Sequence, residues 1–434
     1  MLLICDKRRT NMYIKKVIIQ NIRSISHFEM DFPEPAGWHV VIGDNGSGKS
    51  TVVKSIALAL VGPTEALGLR ASWNEWLNRQ KNWGEIDISI EPSVGDVHTG
   101  RRAKLTRQLI PNIIQFKRSD EYVEFLPKKG QKPEPQNYNW GQGKGWFSVA
   151  YGPFRRFEGG NPDWTKVFYS QPKLGAHLSV FGEDVALTEA IEWLVKLNYQ
   201  ILENKEEGHI IDDIKNLVNS ADFLPHKAEI ESVSSNGVVF KDGNGSLISV
   251  NQLSDGYRSI LSLTFELIRQ LIRVYNSDTV FENIRRNKMM IDLPGVVLID
   301  EIDAHLHPTW QTRIGTWFTK YFPKLQFIVT THSPLVCRAC EKGSIWRLAS
   351  PGAADDSGEV VGLEKERLIY GNILDAYGTE LFGKTPVRSE KSEEKLEKLG
   401  HLNMLSALGK ITPQEEQERI SLQKILSTDD PTSI

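Results

Sequence analysis

Gly43-Asp44-Asn45-Gly46-Ser47-Gly48-Lys49-Ser50-Thr51 fits G-x-x-x-x-G-K-[ST] without a mismatch. Before it, Trp38 to Ile42 (WHVVI) reads as a buried strand. After it, Ser50 to Val61 (STVVKSIALALV) reads as an apolar helix. A strand, a glycine-rich turn and a helix in this order make a phosphate cradle. The glycines let backbone N–H groups close around phosphate oxygens, and the helix N-terminus adds partial positive charge at the same point. Lys49 would then sit between β- and γ-phosphates, and the Ser50 hydroxyl would hold Mg²⁺.

Working outward, the 434 residues suggest two or three structural units. The net charge of −3 makes any nucleic-acid surface local. Three cysteines are no disulfide framework. Cys337-Arg338-Ala339-Cys340 has redox-motif spacing but lacks the second pair of a zinc site, and reads as structural, on a helix. No apolar run reaches the roughly 18 residues of a membrane span, and LLIC precedes the first basic residues, the reverse of a signal peptide. The expectation is a cytoplasmic protein. Met12-Tyr13-Ile14 resembles a natural start, which makes residues 1–11 a disordered extension.

Tyr13 to Gln20 and His27 to Phe32 read as an antiparallel pair joined by Asn21-Ile22-Arg23-Ser24. From Gly62 to about Gly145 the pattern turns irregular, with one alternating strand at Glu85 to Glu91. This stretch holds Trp73, Trp76, Trp83, Trp140 and Trp146, and gathers Arg101, Arg102, Lys104, Arg107, Lys117, Arg118, Lys128, Lys129 and Lys132. Two readings stand: a DNA or RNA contact with aromatics nearby, or a solvated insertion. Helical spacing follows over Thr188 to Leu202 and His209 to Val218, then strands over Lys227 to Val250 with a turn at Asp242-Gly243-Asn244-Gly245. No heptad run sustains a long coiled coil. Beyond Leu363 the chain is mainly helical, with Arg388 to Leu399 rich in Glu and Lys, a final helix capped by Thr412, and a frayed end at 429–434.

Gly295 to Ile299 is an apolar run ending in Asp300-Glu301. Burying unpaired carboxylates is costly, so a strand ending in two acids points to chemistry. Asp300 would bind Mg²⁺, and Glu301 would polarise the attacking water. Gln326 to Thr331 is another such strand, ending at His332, which can report a γ-phosphate. Leu253-Ser254-Asp255-Gly256-Tyr257-Arg258-Ser259 precedes a long apolar helix. Alone it is a helix cap; functionally it is a phosphate contact delivered to another protomer.

Together these motifs resemble the ABC-type ATPase head of Rad50, SMC, RecF and OLD-like proteins, Septu-type and retron-associated ATPases included. The resemblance implies an α/β fold: a P-loop core sheet plus antiparallel N-terminal strands, an insertion and a C-terminal helical region. The core would use 1–61 and 253–362, the insertion 62–146, a lobe 147–252, and the helical region 363–434. It implies ATP and Mg²⁺ as cofactors. Asn45, Gly46, Ser47, Gly48, Lys49, Ser50, Thr51 and Arg23 would bind nucleotide. Glu301, His332 and Lys49 would be catalytic, and Ser50 and Asp300 would hold the metal. Gln171 is the best-placed glutamine to join the metal site, with Gln80 as the alternative. Asp303 to Pro308 resembles the D-loop, which argues against His305 and His307 as metal ligands.

The resemblance further implies a head-to-head homodimer, with Ser254, Asp255 and Gly256 of one subunit closing on ATP in the other. A defence ATPase acting with a separate effector (an HNH nuclease, a toxin or a reverse-transcriptase complex) is one expectation, and 363–434 is its candidate dock. A RecF-like DNA repair clamp is the alternative. A membrane partner is not expected.

Overall fold

The computed structural model describes residues 12–92, 108–141, 145–153, 170–182, 189–203, 209–220, 223–224, 227–234, 237–352, 357–372 and 390–426. Residues 1–11, the basic residues Arg101, Arg102, Lys104 and Arg107, and residues 429–434, read above from sequence, lie outside the described residues. The chain forms two units, Met1–Ile373 and Leu374–Ile434.

Helix α1 (Lys49–Val61) is apolar on every face, and all its residues except Ser50 and Lys54 are buried. Such a helix has to be enclosed. It lies between two sheets, touching β1, β4 and β5 on one side and β7, β11 and β12 on the other. The first sheet is antiparallel, in the order β2 (Ile25–Asp31), β1 (Tyr13–Ile22), β4 (Trp83–Glu91), β5 (Ile110–Ser119), β6 (Tyr122–Pro127). The second runs β14 (Gly358–Val360), β13 (Gly343–Arg347), β3 (Gly37–Ile42), β12 (Leu325–Thr330), β11 (Gly295–Ile299), β7 (Ser148–Tyr151). It is parallel except for β14. The central strands β3, β11 and β12 are buried along their whole length, as expected for a sheet covered on both faces. Gln326, fully buried, ties the sheets together: its amide accepts from the Ile14 N–H at 2.8 Å and donates to the Ile14 carbonyl at 2.9 Å.

The stretch 62–146 departs from the irregular reading. Within it β4, β5 and β6 extend the β1–β2 pair into the five-stranded sheet. In β5 (IPNIIQFKRS) buried residues alternate with half-exposed ones, and the buried Asn112 and half-exposed Ile113 obscure that alternation in the sequence. The tryptophans here are mostly core. Trp73 stacks on Phe125 at 4.0 Å and Trp76 on Phe116 at 6.1 Å, while the Trp140 indole donates to the Ala59 carbonyl at the end of α1. The described cations are partly spoken for: Lys128 pairs with Glu85, and Arg118 bonds the Asn78 and Lys81 carbonyls.

A third sheet, in the order β10 (Leu247–Ser249), β9 (Gly237–Lys241), β8 (Glu229–Ser234), packs with α2 (Glu189–Leu202) and α3 (Ile210–Val218). Asp242 closes its hairpin by accepting from the N–H groups of Asn244 and Ser246. Helix α4 (Asp255–Tyr275) follows, then α5 (Ser277–Arg285), α6 (Pro308–Tyr321) and α7 (Gly362–Tyr370). Cys337 and Cys340 are buried in a 3₁₀ turn after β12, where burial pushes both thiols up. The second unit holds α8 (Glu390–Ala407) and α9 (Pro413–Ile425), packed through Leu399, Leu402 and Leu422. Thr412 and Glu415 form a reciprocal capping box at the start of α9. Among the described residues no single helix is long and apolar enough to cross a membrane.

His39 in β3 is sealed between the Pro35 carbonyl and the Ser344 hydroxyl, each at 2.8 Å. Burial lowers its pKa to about 4, and that of fully buried His177 likewise to about 4. The unfolded chain takes up protons on these rings below pH ~6.5, where the folded one does not, so stability falls as pH drops from there towards 4. Denaturant unfolding at pH 7 and pH 5 should show a loss of about 2 kcal/mol per histidine.

Candidate functional site

Three neighbouring parallel strands end level. Val41 of β3 pairs with Thr330 of β12, and Val329 of β12 with Ile299 of β11. The segments that follow therefore meet at one edge: Gly43 to Ser50 after β3, Thr331-His332 after β12, Asp300-Glu301 after β11. At about 4.8 Å per strand, the phosphate loop and the acid pair are roughly 10 Å apart, with the His332 segment between them.

The loop takes its shape from Gly46 (φ 77°) and Gly48 (φ 104°), a left-handed backbone that glycine adopts without strain. A Cβ on Gly48 would meet Ser24 and Ile25 at 3.0 Å, so the Asn21–Ser24 turn abuts the loop. No side chain caps α1 at Gly48, and its first turn carries no acid. The Ser47 hydroxyl is buried without a hydrogen-bond partner. A phosphate fits this set of waiting donors. Asp44, Asn45 and Gly46 are exposed along the rim, Ser50 is half-buried and Thr51 buried. Lys49 folds back on the loop, donating to the Gly43 and Asp44 carbonyls at 2.8 and 2.9 Å. Burial lowers its pKa, opposed by the charges of Asp300, Glu301, Asp44 and Asp303.

The acids are held by β12. Thr330, fully buried, donates to Asp300 Oδ1 at 2.6 Å and accepts from the Glu301 N–H at 2.8 Å. Glu301 has φ 48°, unusual for a non-glycine residue, and this threonine contact holds it there. Thr331 donates to Asp303 Oδ1 at 2.6 Å, and His332 carries its ring exposed beside that pair. Thr330 and Thr331 were missed as site residues, and Asp303 was read only as the start of the D-loop; the hydroxyl pair directly before His332 was the available signal. The buried Asp300 carboxylate and the Ser50 hydroxyl are hard oxygen donors of the kind Mg²⁺ takes.

Ser254 lies exposed at the start of α4, and Asp255 opens the helix. A Cβ on Gly256 would meet the His305 carbonyl at 3.2 Å. The signature thus backs onto the loop that begins at Asp300. His305 has φ 65°, and His307 caps α6 by accepting from the Thr309 N–H.

Two assignments are displaced. The Arg23 guanidinium lies over the Trp76 ring at 4.9 Å, in a cleft with Lys54 and Glu75, so it is Ser24 that touches the phosphate loop. Gln171 is set apart from the acids. It shares a cavity with Ser148, which begins β7, whereas Asp300 follows the far end of the neighbouring strand. Gln80, the alternative, sits in an exposed turn before β4.

Residues 39–338 match the family model described as "AAA domain, putative AbiEii toxin, Type IV TA system". The chain belongs to this AAA ATPase family. A second model, "AAA ATPase domain", matches residues 12–64. The chain is 27% identical to the Septu protein PtuA of Bacillus mycoides over 77% of this chain and 40% of that protein. It is 37% identical to the "Retron Ec83 probable ATPase" of Escherichia coli over 35% of this chain and 26% of that one. It is 25% identical to the "Retron Vc95 probable ATPase" of Vibrio cholerae over 68% and 66%. The chain thus spans from about a quarter to two thirds of the length of these relatives. It resembles the Septu and retron ATPases over these stretches.

In this AAA ATPase, replacing Thr330 by valine keeps the buried shape but frees both acids. Steady-state hydrolysis by Thr330→Val should fall about 10- to 100-fold, with the Mg²⁺ requirement raised, and Thr330→Ser should restore most of it.

Proposed function

We propose that two copies of this chain close head to head on ATP, and that this closure gates a separate effector in anti-phage defence. The observation that carries the closure is the placement of the signature. Ser254 is exposed, while Gly256 rests on the His305 carbonyl of the loop that starts with the catalytic acids. A surface serine at a helix N-terminus, coupled to the acid loop of its own subunit, suits a phosphate held by a second copy.

In this reading Lys49 leaves the Gly43 and Asp44 carbonyls to take the β- and γ-phosphate oxygens. The N–H groups of Asn45 to Thr51 surround the phosphates. Mg²⁺, held by Ser50 and Asp300, would neutralise phosphate charge. Glu301 orients the attacking water and accepts its proton, and His332 contacts the γ-phosphate. Loss of that phosphate removes contacts made only in the closed state, so the dimer loosens. Gln171 has no part in this scheme.

The Septu and retron relatives support the defence setting. The same reading takes an HNH nuclease, a toxin or a reverse-transcriptase complex as the effector, with the C-terminal helices as its dock. The RecF-like alternative loses its aromatic support, because Trp73, Trp76, Trp140 and Trp146 pack within the fold.

Glu301→Gln should bind ATP, hydrolyse it at least about 100-fold more slowly, and elute as a dimer with ATP and Mg²⁺ in light-scattering chromatography. Adding Ser254→Arg should return it to monomer while leaving ATP binding in place. A Glu301→Gln protein that stays monomeric with ATP bound would refute the sandwich.

A further inference from the structure

The second unit buries little of its own apolar surface. Among its described residues Leu399, Leu402 and Leu422 form the core, with Leu405, Ile411 and Leu426 packed against them. Three buried leucines are a small core for two helices to stand on. On another side of α8, Leu396, Met404 and Leu408 are 41%, 53% and 60% exposed. Together with Gly400, which is also exposed, they recur at every fourth residue and form one ridge along the helix. The Leu408 N–H still bonds the Met404 carbonyl, so the ridge continues to the helix end.

Gly400 is the odd member. It lies inside the 18 residues of α8, where glycine costs stability relative to alanine. A Cβ on Gly400 would meet nothing within 4 Å, whereas one on Gly315 in α6 would run into Ala339 and Trp38. Packing among the described residues therefore explains the glycine in α6 and leaves the one in α8 without a reason. A notch on an exposed apolar ridge suits a surface from outside the chain.

We propose that this surface is α8 of a second copy, crossing antiparallel, with Met404 of each copy seated over Gly400 of the other. The ridge is its own complement. Under a two-fold axis midway between Gly400 and Met404, Leu396 meets Leu408 of the second copy, and the missing side chain receives a long flexible one. Ridges of residues four apart interdigitate in the commonest helix pairing, and small residues at the crossing let the axes approach. Two helices of this length crossing so cover less than about 1,200 Å², which makes the association weak and reversible. It needs no nucleotide and is separate from the closure at Ser254. An effector docking on this unit would then use α9.

The test uses the full chain carrying Lys49→Ala, so that closure on ATP does not contribute. Sedimentation equilibrium across the micromolar range should show a reversible dimer. Met404→Glu should weaken it at least about tenfold. Gly400→Gln should weaken it as well, yet leave the melting temperature level or higher, because the helix gains a better former and its Cβ meets nothing. With Cys5→Ser throughout, and Cys337 and Cys340 buried, mild oxidation should join Leu396→Cys chains to Leu408→Cys chains. Neither should join to itself, because like positions lie about 18 Å apart along the pair. A monomer at every concentration, Leu396→Cys chains joined to one another instead, or an association indifferent to Met404→Glu and Gly400→Gln would overturn the pairing.

Discussion

The enclosure of α1 constrains the rest of the molecule. A thirteen-residue helix buried at all but Ser50 and Lys54 is stable only if apolar surface closes on it from both sides. The antiparallel sheet supplies one side and the parallel sheet the other. Closing both fixes where the helix begins, and it begins at Lys49. The phosphate loop is therefore where the start of this largely buried helix comes to the surface, with no side chain capping its first N–H groups. Strands β4 to β6 are accordingly part of the frame that holds the nucleotide site, because without them one face of α1 would be bare.

The level ends of β3, β12 and β11 convert that frame into chemistry. Thr330 is central because its one hydroxyl serves both acids, donating to Asp300 and accepting from the Glu301 N–H. The unusual backbone of Glu301 and the charge gathered around Lys49 are features a fold keeps where function needs them. Asp303 extends the arrangement, joining the loop of the acids to Thr331 beside the exposed His332. Through His305 the same loop reaches Gly256. A displacement at the signature would thus be felt within a few residues of the acids.

The two ends of α4 contrast. At its start, Ser254 lies exposed on the surface. At its end, Arg273 borders a cavity where Asn139 keeps a polar group no neighbour satisfies. Buried polar groups left without partners are rare in a well-packed fold, and they mark where packing was not the only demand.

The phosphate loop, the acid pair and the strand ending in His332 were legible in the sequence because their signals are local: an apolar run, then polar residues the run cannot bury. The helices beyond Leu363 were legible too, down to the capping of α9 by Thr412. Strands β5 and β6 were not, because in β5 a polar residue, Asn112, is fully buried while the apolar Ile113 is half-exposed, which blurs the alternation. Gln171 was misplaced because a glutamine near a strand says nothing about which end of the sheet it faces. Arg23 was drawn away by Trp76, a partner 53 residues distant. By itself the sequence determined which residues can handle phosphate and water, since that is a property of side-chain chemistry and short-range spacing. Only the tertiary structure decided which of them share a site, because strand order and register, set by long-range packing around α1, choose the neighbours.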